Sequence, residues 1–238
     1  MKKFIALATI VLLFACSKSD NKTGNVELSG NVEGLKQGKL YIQKLKDTNL
    51  VIVDSIIISG ESSFETKFQI DEPQMLYMFL DRGTTESIDN SIHFFAEPGK
   101  MKIETTLNGF YSNAKISGSE NQKVYENFLK IKSKFNDEKL ELLEKELKNN
   151  NTKNALFTEE INNKRDKLTV RKYFATANFA LVNKQYEVAP YLALTEIPDA
   201  SLILLDTINK TLSPKVAKSL YGKELAKWIN ERRKTEEN

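Results

Sequence analysis

One cysteine and one histidine are all that this chain of 238 residues offers to thiol, imidazole or soft-metal chemistry. A lone cysteine forms no internal disulfide, CxxC redox pair or multi-thiolate metal site, and a lone histidine excludes a His–His cluster. His93 stands in SIHFFA between Ile92 and Phe94, with no carboxylate triad near it in sequence. It reads as a half-exposed strand residue rather than a general base or metal ligand. Asp81, Glu86 and Asp89 crowd the polar stretch 81–90, without the alternating acids and glycine of a calcium loop. Glu97, in Glu97-Pro98-Gly99, is a carboxylate at what reads as a hairpin turn. No P-loop, GxGxxG, GxSxG or HExxH occurs. The expectation is a chain that is not an enzyme, with no catalytic residue, no metal site and no cofactor.

The chemistry of Cys16 is set by what precedes it. Lys2 and Lys3 form a basic start, and Phe4 to Phe14 an apolar run of eleven residues. Crossing the hydrocarbon layer takes about 20 apolar residues, so this run is a secretory leader and not a permanent span. Leu13-Phe14-Ala15-Cys16 resembles the bacterial lipobox, with Leu at −3, a small residue at −1 and then the cysteine that is acylated. Phe14 at −2 departs from the small or β-branched residue usual there. A plain signal peptide with a coincidental cysteine is the alternative. On the lipobox reading, residues 1–15 are a lipoprotein signal peptide, Cys16 is the lipidation site, and SKSDNKTGN makes residues 16–25 a flexible tether. Two or more acyl chains hold a protein on a bilayer stably, at about 0.8 kcal/mol per buried methylene.

The body that follows is ordinary in composition, 40% apolar and 28% charged, enough for a packed core. The formal charge is +3, but without Lys2 and Lys3 the chain has 33 basic and 32 acidic residues. Such balance leaves no electrostatic footprint for nucleic acid. From Val26 to Ser117 the apolar period is two. VELSGNV, GKLYIQKL, SFETKFQI, MLYMFL, SIHFFA, MKIETTL and AKIS read as strands, and LVIVDSIII, residues 50–58, as a strand buried on both faces. Turn residues separate them at Leu35 to Gly38, Ser59 to Ser62, Asp71 to Pro73 and Glu97 to Lys100. About eight short strands at this spacing predict an antiparallel β-sandwich or open barrel over residues 26–118. Tyr77, Phe79, Phe94, Phe95 and Tyr111 are candidates for a sugar- or peptide-binding platform, against the more ordinary reading as core.

An ordered set of motifs runs through these strands: Gly30, Gly38-Lys39-Leu40-Tyr41, Asp54-Ser55, Phe64, Pro73 with Tyr77, Phe95-Ala96-Glu97-Pro98-Gly99, and Ile116-Ser117-Gly118-Ser119 with Asn121. Together they resemble a β-rich domain of unknown function found at the front of thioredoxin-like (TlpA/AhpC-type) envelope lipoproteins of Gram-negative bacteria. PYLALTEIPDASLILLDTINKTLSPKVAKSLYGKELAKWI is similar to the helical connector that follows it in those proteins. The resemblance implies a redox domain next, but this sequence ends at Asn238, and the expectation is a chain without it.

Residues 119–238 read as a helical region. Ser119 and Gln122 fit a capping box, and Val124, Phe128, Ile131 and Phe135 make one apolar stripe. Leu140, Leu143 and Leu147 continue a stripe that is expected to pack within its own chain. A break is expected at Asn149 to Asn151, then helices over 158–183, 187–195 and 201–212. A last helix is capped by Ser213 with Pro214 in its first turn, and its tail RRKTEEN is expected to fray. The whole is α+β. Its expected role is a lipid-anchored, non-catalytic binding or scaffolding module of the cell envelope, at the outer membrane of a Gram-negative bacterium. It would meet the membrane through Cys16 and a protein, peptide or glycan partner through its body, and no nucleic acid. The alternative is the anchoring half of a thioredoxin-like thiol-disulfide system.

Overall fold

A computed structural model describes residues 23–81, 88–150 and 155–236. The eight expected strands form: β1 Val26–Glu33, β2 Gln37–Lys46, β3 Asn49–Ser59, β4 Ser63–Phe68, β5 Gln74–Asp81, β6 Ser91–Ala96, β7 Gly99–Thr106 and β8 Lys115–Ser117. They make two four-stranded sheets. Sheet A has the order β4-β1-β7-β8 and sheet B the order β3-β2-β5-β6. All neighbours are antiparallel except β1 and β7, which run parallel. Alternate residues of both sheets point into one core. Val26, Leu28, Phe64, Phe68, Met101 and Ile103 from sheet A meet Leu40, Ile42, Leu76, Met78, Leu80 and Phe94 from sheet B. Burying a large apolar side chain is worth about 1.5–3 kcal/mol, so this layer is what holds the sandwich together.

Six helices follow: α1 Glu120–Asn150, α2 Ala155–Val182, α3 Val188–Glu196, α4 Leu202–Thr211, α5 Pro214–Ala217 and α6 Leu220–Glu236. The first two form a long hairpin. Leu142, Ile161 and Leu168 are buried, and Arg171 bridges to Glu138 at 2.8 Å and Arg165 to Glu146 at 2.5 Å. A second core gathers Ala177, Ala180, Ala193, Ile197, Leu205, Ile208, Leu225 and Ile229 from α2, α3, α4 and α6. A third joins the two halves: Met75 and Phe95 leave the outer face of sheet B and pack among Tyr125, Phe128, Val188 and Leu192.

Four expectations are corrected here. The stretch 50–58 is an edge strand and not one buried on both faces, with Leu50, Ile52 and Ile57 exposed. Glu97-Pro98-Gly99 does not turn a hairpin. It carries the chain from β6 in sheet B to β7 in sheet A. The stripe Leu140, Leu143 and Leu147 lies exposed, because Leu142, on the opposite side of α1, takes the α2 seam. The final helix is broken after Ala217 and restarts at Leu220, and Arg232 to Glu236 are helical rather than frayed. There Arg232 donates to the carbonyls of Pro198 and Ala200 at 3.1 and 2.5 Å.

Candidate functional site

The two sheets differ in what their outer faces show. Along sheet A the outward residues are polar and alternate in charge. Lys67, Glu27 and Lys100 stand side by side on β4, β1 and β7, with Lys67 and Glu27 paired at 2.9 Å. Lys102 pairs with Glu104 at 2.6 Å on the same face. Along sheet B many of the outward residues are apolar, interrupted by Gln43, Ser55, Ser91 and the Lys39–Asp81 pair. Register places Ile52, Gln43, Tyr77 and His93 in one row across all four strands, with Tyr41 beside Phe79 and Leu45 beside Leu50. Leu45 and Leu50 are exposed, Ile52 is 60% exposed and Ile57 71%. A bulge in β3 opposite Ile42 and Gln43 puts this row there: it shifts the parity of β3, so even-numbered Leu50 and Ile52 face out while Ile56 and Ile58 face in. Among the described residues, the helices cover the Met75–Phe95 end of this face, with Tyr77 packed partly against them.

His93 sits at the boundary between the covered and open parts. Its ring lies edge-on to Tyr77 with centroids 4.7 Å apart and faces the exposed Tyr111 at 6.2 Å. Loss of water contacts, and then the positive charge of Lys132, hold its pKa below the ordinary histidine range. Near neutral pH it is an uncharged ring among rings, suited to stacking and one hydrogen bond rather than to holding an anion. Of the five proposed platform aromatics, Tyr77, Phe79 and Tyr111 line or border the open face, whereas Phe94 is in the sandwich core and Phe95 beneath the helices.

The Glu97-Pro98-Gly99 and Ser117-Gly118-Ser119-Glu120-Asn121 motifs meet at the start of α1. Glu97 accepts from the Glu120 amide at 2.6 Å and from Asn121 Nδ2 at 2.5 Å, a carboxylate set on the positive end of a helix. Ser119 Oγ accepts from the Gln122 amide at 2.9 Å, as the capping box requires. The Gln122 side chain does not close the box: its Oε1 accepts from the Phe95 amide of β6 at 2.8 Å. Asn121 also donates to Glu187 at 2.8 Å and accepts from the Val188 amide at 3.0 Å. Glu187, 2% exposed, is completed by Lys215 at 3.1 Å. Gly118 has φ +96°, and a Cβ there would lie 2.1 Å from the Lys100 carbonyl oxygen. This polar cluster is a docking joint, and its carboxylates are occupied by the fold.

The remaining candidates stand apart from this face. Cys16 and Glu86 lie outside the described residues. Asp81 ends β5, and Asp89 is exposed in the short helical turn Ile88–Asn90. Among the described residues no three His, Cys, Asp or Glu side chains come together as a metal site, and no helix is long and apolar enough to cross a membrane. The open face of sheet B was missed in sequence because its signal, a doubly apolar strand, is the same one that a buried strand gives.

No curated protein and no solved structure matches this chain. Residues 26–125, from the first residue of β1 to Tyr125 in α1, match the family model described as Domain of unknown function (DUF4369).

Proposed function

We propose that this chain is a lipid-anchored envelope lipoprotein, held to the outer membrane through Cys16, whose folded body is a non-catalytic binding or scaffolding module. The observation that carries the binding role is the open outer face of sheet B, with Leu45, Leu50 and Ile52 exposed next to Tyr41, Tyr77, Phe79 and His93. Contiguous apolar surface on one sheet, opposite a charged one, marks an interaction site rather than scattered exposure. Rings and aliphatic side chains of this kind suit a peptide segment or the apolar face of a sugar. The anchoring role rests on Leu13-Phe14-Ala15-Cys16 and the polar stretch after it.

A second reading draws on the resemblance to thioredoxin-like envelope lipoproteins. There the same face positions a redox partner, and thiol exchange belongs to that partner because Cys16, the one cysteine, carries lipid.

A photo-crosslinking residue placed at Ile52 in living cells tests the site, with Ser29 on the outer face of sheet A as the control position. A discrete adduct at Ile52 and none at Ser29 is expected. Equal or absent labelling at both removes the binding role, and an adduct that contains a thioredoxin-like protein selects the second reading.

A further inference from the structure

The open face of sheet B has a cation at its helix-bordered side. α1 runs back along β6: the Glu120 amide donates to Glu97, Gln122 accepts from the Phe95 amide, and Phe128 packs with Phe95. Lys132 follows Phe128 by four residues on the same side of the helix, and so comes level with His93, two residues back along β6. Its positive charge is felt there, as the second cause that keeps the imidazole neutral. Lys132 Nζ donates to Glu196 Oε1 at 2.6 Å, and Lys172 Nζ lies 3.5 Å from Oε2 of the same carboxylate. One carboxylate balances one of these two ammonium groups, which leaves a surplus of one positive charge. An ammonium has three donors, and Glu196 takes one of those on Lys132.

We propose that the occupant of this face is an extended acidic peptide segment, its carboxylate on Lys132 and an apolar side chain about four residues along on Ile52 and Leu50. This rests on the open-face reading above and adds the chemistry of the occupant. The row His93, Tyr77, Gln43 and Ile52 crosses all four strands. Neighbouring strands lie about 4.8 Å apart, so the row is about 14 Å long, the reach of about four extended residues. Within it the Gln43 amide and the neutral His93 ring each offer a donor and an acceptor to a peptide main chain. The far end favours a peptide over a sugar. Leu45, Leu50 and Ile52 are exposed aliphatic side chains, which match other apolar side chains, whereas a sugar stacks on flat rings. Lys132 is partly buried, so salt screens its charge less than that of a surface lysine.

The test selects from a random peptide library displayed on phage, with the full chain carrying Cys16→Ser as bait. Enriched sequences are expected to share Asp or Glu about four residues from Leu, Ile, Val or Phe. One enriched peptide, and its counterpart with the acid replaced by the matching amide, are then titrated against the bait and its Lys132→Gln and Lys132→Arg variants. The acid should give about fivefold tighter binding to the bait, the size of a partly exposed ion pair. Lys132→Gln should abolish that advantage and Lys132→Arg should keep it. The amide peptide should bind all three chains alike, which separates loss of the charge from loss of folding. Enriched sequences without an acid, or an advantage indifferent to Lys132→Gln, overturn the proposal; a discrete in-cell adduct at Ile52 then still supports the open face itself. No enriched peptide, or an uncharged oligosaccharide bound in its place, overturns it as well.

Discussion

A single side-chain amide, Asn121 Nδ2, donates to two carboxylates, Glu97 at 2.5 Å and Glu187 at 2.8 Å, and so ties the β6–β7 link to the start of both α1 and α3. Asn121→Ala leaves buried Glu187 with Lys215 alone and takes one contact from Glu97. A loss of about 2–4 kcal/mol in denaturant unfolding is expected, the range for stripping a partner from a buried charged group. Asn121→Asp should be worse, because it sets a third carboxylate between the other two. An unchanged midpoint for both variants would remove the joint from the account.

The inward rings of β4 give a second expectation. Phe64 and Phe68 are each 4% exposed, and Phe64 lies against Gly30 of the neighbouring β1. Phe64→Ala or Phe68→Ala should cost about 3–5 kcal/mol, transfer free energy and cavity together. A melting curve like that of the parent protein would refute the packing described.

Alkaline pH should loosen the junction between the halves. Burial pushes the Tyr125 phenol up to about 12, and burial also raises Tyr191 and Tyr221. In the unfolded chain these groups ionise near 10. The folded state therefore favours the neutral phenols, and this contribution is complete below about pH 10 and lost as pH climbs toward 12. Ultraviolet titration should show phenolate signal from these residues appearing above pH 10, together with unfolding. Three tyrosines ionising near 10 in a protein that stays folded would contradict the burial.

On the lipid anchoring proposed above, Cys16→Ser should move the protein from the membrane fraction into the soluble one, or leave it unprocessed, because acyl chains would lack their attachment atom. Membrane retention with normal processing would count against lipidation.

Period-two alternation located the strands other than β3, which a continuous apolar run marked, and Val26, Leu28, Phe64, Phe68, Met101 and Ile103 do face one core. What local pattern could not give was partner and place. β1 and β7 pair in parallel across more than seventy residues of sequence, and nothing near either strand encodes that. The same limit hid the edge position of β3 and the exposure of Leu140, Leu143 and Leu147, because apolar spacing reports a face without saying what covers it. The caps Ser119 and Ser213 were legible, whereas the cap at Ser201 emerged only from the structure. Yet Glu97 looked like turn chemistry because its donors, the Glu120 amide and Asn121 Nδ2, lie two dozen residues on.

The chain enters the folded body at a latch. Asn25 donates to the Ile70 carbonyl at 2.7 Å and accepts from the Ile70 amide at 3.0 Å, and its own carbonyl accepts from Gly99. The next residue opens β1, which lies between β4 and β7 rather than at a rim. A pull on the leader end of the chain therefore runs along β1 and strains its two ladders lengthwise and all at once, instead of peeling them bond by bond. Under the lipid anchoring proposed above, load entering at Asn25 would meet β1 in shear.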